Sequence, residues 1–145
     1  MMEDDGRRIE RWERQRKEFL MEVCSTLELG EFNLNTDPLA ILAALDEFVA
    51  GQDYGSMDED DWIWLQTFLA AYVAQVFIVE FKAKWEIVID DRGESHRLVV
   101  VGLDGAERAF SPIDLVYEDF RTGMHPEIVR ILATAEVKAA VVPLV

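Results

Sequence analysis

The sequence predicts an α+β domain with N-terminal helices, a three-stranded antiparallel meander and C-terminal helices. Three observations carry the prediction. Apolar residues recur at three- and four-residue steps up to about residue 80, the period falls to two after Lys84, and Asp104-Gly105 separates two strand-like runs. The 145 residues are 50% hydrophobic, enough to fill one core, so residues 1–145 read as one domain. Within it, 1–30 is a charge-rich amphipathic helix able to dock separately, 37–123 the core helices and meander, and 124–145 a last helix with an apolar tail.

From Ile9 to Leu27, the apolar positions Ile9, Trp12, Phe19, Leu20, Val23 and Leu27 describe one helical face, with Gly30 as a stop. Asp37 is placed to cap a second helix, with Pro38 at its first position and Gly51 beyond it; Ile41, Leu42, Leu45, Phe48 and Val49 form its core stripe. The acidic run Asp58–Asp61 suits the positive end of a third helix, Trp62 to Val79. That helix is apolar nearly all round. Its 18 residues reach the length of a membrane span, but the amides and hydroxyl of Gln66, Thr67 and Gln75 favour a buried central helix.

Trp85, Ile87 and Ile89 share one face of a first strand, and Asp91 to Glu94 is a turn. Arg97 to Leu103 lacks alternation and reads as a strand covered on both faces. A two-residue turn at Asp104-Gly105 then returns the chain through Ala106 to Phe110. Ser111-Pro112 opens a helix with Ile113, Val116, Tyr117 and Phe120 at helical spacing up to Gly123. A final helix begins near Pro126 and contains Ile128, Val129, Ile131, Leu132 and Ala135. The tail from Val137 to Val145 suits an extended edge strand or a terminus that meets a partner.

Charge narrows the function classes. The chain holds 29 acidic and 14 basic residues, net −15, yet six of the basic ones fall in the first 17 residues. The acidity therefore belongs to the body. Binding to a nucleic-acid backbone rests on Lys and Arg, so no nucleic-acid partner is expected. The single cysteine forms no internal disulfide, the opening has no secretory apolar stretch, and a cytoplasmic location follows as the expectation.

No residue set announces catalysis. Ser95 and His96 are neighbours on a strand and point to opposite faces, so they do not share a proton readily. His125 precedes Pro126 at a helix entrance, and Cys24 reads as a packed thiol. Asp53 and Asp58–Asp61 lack the ligand spacing of a calcium loop, so no metal and no cofactor is expected. The aromatic residues are more telling. Trp62 and Trp64 diverge by about 200° around a helix, so either that end is surrounded and both pack under the first helix, or one is left for the surface. Tyr54 and Trp64 with Asp58, Glu59, Asp60 and Asp61 then make an acidic, ring-bearing patch for a basic partner segment. Arg8, Arg11 and Trp12 are the candidate contacts of a docking first helix.

The run AQVFIVEFKAKWEI, the meander and the run FSPIDLVYEDFRTG resemble small bacterial domains of unknown function. In those domains a helix leads into a Trp-bearing strand and a Pro-containing segment closes the sheet. The resemblance spans roughly residues 38–123; it implies an α+β fold and a bacterial origin, and transfers no catalytic residue. Size and acidity are also similar to those of secretion chaperones and toxin-neutralising immunity proteins, an analogy of composition alone. The leading expectation is a non-enzymatic, cytoplasmic protein-binding module, an adaptor or chaperone-like domain for a basic partner. The second is a subunit of a larger assembly or homo-oligomer using the first helix and the tail. The third is a small enzyme whose polar groups, Asp90, Asp91 and His96, converge in a pocket.

Overall fold

The computed structural model describes residues 5–29, 33–122 and 125–142. Helix α1 (Asp5–Thr26) is followed by a 3-10 turn Pro38–Ile41, α2 (Leu42–Ala50), a 3-10 turn Tyr54–Ser56 and α3 (Glu59–Phe81). Strands β1 (Lys84–Asp90), β2 (Gly93–Val101) and β3 (Glu107–Phe110) form an antiparallel meander in the order β1-β2-β3. Helices α4 (Pro112–Phe120) and α5 (Ile128–Ala139) complete the α+β fold. Gly30, Gly123 and residues 143–145 of the tail lie outside the described residues.

α3 is the axis of the core. Every residue from Phe68 to Phe77 is buried, because α1, α4, α5 and the sheet all pack against it. It is long and apolar enough to cross a membrane, and 61% of its most apolar stretch is buried within the chain. Its start obeys the expected chemistry: Asp58 accepts from the Asp61 N–H at 2.9 Å, and Asp61 accepts from the Asp58 N–H at 3.2 Å. Two buried polar bonds tie the α1–α2 connection to it. The Tyr72 hydroxyl donates to the Pro38 carbonyl at 2.9 Å and the Gln75 amide donates to the Leu34 carbonyl at 2.5 Å.

Several local expectations are corrected. Asp37 makes no side-chain cap, and the first turn after it is 3-10 rather than α. α1, α3 and α5 end through the left-handed residues Glu28, Lys82 and Ala140, none a glycine. The β2–β3 connection is wider than two residues. Gly102 N–H donates to the Ala106 carbonyl at 2.9 Å, enclosing Leu103, Asp104 and Gly105, and only Gly105 takes a positive φ, 82°. β2 is covered on one face: Leu98 and Val100 are buried, while Val101 is exposed. On α4 the inward stripe is Pro112, Leu115, Val116 and Asp119, with Ile113 and Tyr117 turned out. The described part of the tail continues α5 and then ties to the hairpin loop through Leu103 N–H and the Ala140 carbonyl at 2.8 Å, instead of forming a strand.

Candidate functional site

Two surfaces hold most of the chemistry. The first is the start of α3. Ile63 is 52% and Trp64 39% exposed, and one helical turn before each stands an exposed carboxylate, Glu59 before Ile63 and Asp60 before Trp64. Trp64 is held in place by stacking on Phe68, centroids 5.7 Å apart. Asp58 and Asp61 are exposed but engaged in the capping box. Tyr54 does not join Trp64. Its half-buried ring meets Trp62 at 5.5 Å and His125 at 4.8 Å, and its hydroxyl donates to the Val49 carbonyl at 2.6 Å. Burial pushes that phenol up to about 12. Trp62 turns the other way, against Phe120. The patch is therefore centred on Ile63 and Trp64, with Tyr54 beneath the neighbouring ring cluster.

The second surface is an open cleft of about 700 Å³ between α1, the middle of α3, β2 and the start of α4. Trp12 forms its inner wall. The indole meets Trp85 edge-on at 5.6 Å, stacks on the His96 imidazole at 3.5 Å, and lies under the Arg16 guanidinium at 4.3 Å. Burial holds the imidazole below its usual value, and the cations Arg16 and Arg8 add to that. Glu94 stands 3.4 Å from His96 but also pairs with Arg8. The buried Nε1 of Trp12 and Nε of Arg16 have no hydrogen-bond partner.

This geometry engages the first helix with the body. Arg8 reaches Glu94 and Trp12 reaches the sheet, while Arg11 is on the exposed side. Ser95 and His96 do diverge as their strand positions require: Ser95 Oγ donates to the Val88 carbonyl at 3.4 Å, away from the imidazole. Asp90 and His96 line the cleft, Asp91 does not. Cys24 is buried, and desolvation pushes its thiol up to about 11. Arg16 was the residue hidden from sequence reasoning. Its spacing of four from Trp12 on one helix was the available signal.

Comparison with known proteins gives one result. A family model described as a domain of unknown function, DUF3806, matches residues 45–132, from α2 through the sheet into α5. No curated protein and no solved structure matches the chain.

Proposed function

The chain belongs to the family DUF3806, a domain of unknown function, and from its surface chemistry we infer that it is a non-enzymatic, cytoplasmic protein-binding module of bacterial origin that docks a basic partner surface. One observation carries this reading: Ile63 and Trp64 stand exposed on the first turns of a rigid helix, each a turn beyond an exposed carboxylate. Covering these apolar side chains removes their surface from water, and a cationic partner also meets the carboxylates beside them, so it gains on both counts. The net charge of −15 speeds the encounter. The separation of Ser95 from His96 supports a role without bond-making chemistry.

The test is capture of partners from the native cell by the full chain, compared with Trp64→Ala and with Glu59→Lys/Asp60→Lys. We expect the truncation to lower affinity about ten-fold or more, and the charge reversal to weaken binding and reduce its salt dependence. A partner retained equally by all three proteins would count against the patch. Turnover of a small molecule, lost on changing one cleft side chain without unfolding, would count against the whole reading.

A further inference from the structure

Pro112 keeps β3 short. The strand's register sets Leu98 opposite Phe110 and Val100 opposite Arg108; one step further places Ser111 opposite Arg97, and the next places Pro112 opposite His96. Pro112 has no N–H to donate and is the first residue of α4. The third strand leaves there, and Gly93–Arg97 pairs with β1 alone.

The orientation of the open main-chain groups rests on two facts. In an antiparallel sheet a residue's N–H and C=O point to the same side, and the side alternates along the strand. The turn Asp91–Arg92 closes on the pair Asp90 and Gly93, which assigns Gly93, Ser95 and Arg97 to β1. The Gly102 to Ala106 bond assigns Gly102, Val100 and Leu98 to β3. Both leave Glu94 and His96 directed at the side that β3 does not reach, and among the described residues no backbone bond meets them there.

The cleft lies along that side. Ser95 and Arg97 belong to one face of the sheet and His96 to the other, yet all three line it, as Pro112 does across from them. Five strand residues give an edge of about 17 Å. Arg16 supplies the electrostatic preference. Among the described residues no carboxylate lies within ion-pair distance of its guanidinium, which rests on Trp12 with the buried Nε unpartnered. A guest residue opposite His96 projects on the face that holds Trp12 and Arg16.

We propose that the open edge of β2 takes an extended segment of a partner protein as a fourth strand, and that the guest residue opposite His96 is Asp or Glu, whose carboxylate Arg16 receives. Asp90 and Asp114 on the rim disfavour further acidic residues on the guest. This site shares no lining residue with Ile63 and Trp64 of the patch on α3, so loss of one leaves the other to be measured.

The experiment selects random linear peptides displayed on phage against the full chain. Selected peptides should share one acidic position among alternating β-branched residues. With such a peptide bound, amide exchange should slow at least about ten-fold at Glu94 and His96 and stay unchanged at Ile87 and Ile89 on the far edge of β1. Arg16→Gln should weaken binding about ten-fold or more and Arg16→Lys less, while exchange at Tyr72 stays slow and reports an intact core. Replacing the peptide's acid by its amide makes the same test without touching the protein. A selection that yields no binder, peptides with no common acid, indifference to both replacements, or protection at Ile87 and Ile89 would each overturn the proposal.

Discussion

Removing the Asp119 carboxylate should destabilise the domain by about 2–3 kcal/mol. Asp119 is 8% exposed on the inner face of α4. Its Oδ1 accepts from Arg130 Nε at 2.6 Å, and its Oδ2 accepts from Arg130 Nη2 at 2.9 Å and from the Glu127 N–H at 3.1 Å. One carboxylate thus joins α4 to α5 and serves the first residue before α5, which has no side-chain cap of its own. Breaking a fully buried pair costs roughly 3–5 kcal/mol. Arg130 keeps 29% of its side chain in water and a bond to the His125 carbonyl at 2.8 Å, so the remaining cation is partly solvated and the figure is discounted to about 2–3 kcal/mol. For a chain of this size that corresponds to a fall in Tm of roughly 5–10 °C. Urea unfolding of Asp119→Ala, monitored by tryptophan fluorescence, should show a lower midpoint at constant slope. With Arg130→Gln it should give a coupling above about 1 kcal/mol in a double-mutant cycle. A loss below about 0.5 kcal/mol, or simple additivity of the two changes, would refute the reasoning.

Four shorter predictions concern a hairpin loop, the thiol and two titrating groups. Gly102→Ala should cost about 1–3 kcal/mol, because the new Cβ would stand 2.9 Å from the Ala139 carbonyl oxygen and 3.1 Å from Ala140 Cβ; Gly105→Ala meets open space and should cost only about 1 kcal/mol of backbone strain at φ 82°. The two melting curves compare them directly. The Cys24 thiol, buried and held up at about 11, should react with iodoacetamide at pH 8 no faster than the chain unfolds, and rapid labelling of the folded protein would contradict that. Asp104 is held down at about 2, first by the side-chain bond from Arg108 and then by the Ala106 N–H. Its contribution is complete above about pH 4 and lost as pH falls towards 2, and Arg108→Gln should raise its NMR titration midpoint. His96 shifts stability through the opposite charge. Its folded imidazole stays neutral where the unfolded one takes a proton, so stability is complete above about pH 6.5 and declines below it. His96→Phe, which keeps a ring on Trp12, should remove that part of the decline in melting temperature.

The sequence alone determined the element order and the punctuation that depends on near neighbours. Asp58 with Asp61, Ser111 with Pro112, and the period of two from Trp85 are settled by bonds and sterics within a few residues, so they can be read without a fold. The divergence of Trp62 from Trp64 belongs to the same class, since 3.6 residues per turn dictates it. Tertiary structure decided which faces are covered. Ile113 and Tyr117 have good helical spacing, but α4 packs on both α3 and α5, and the face it buries there carries Leu115, Val116 and Asp119 instead. Tyr54 was drawn away from Trp64 by Trp62, His125 and the Val49 carbonyl. The cleft could not be read at all from one dimension. It joins a cation at position 16, an imidazole at 96 and a proline at 112, and their meeting depends on α1 folding back over the sheet just where Pro112 ends the third strand.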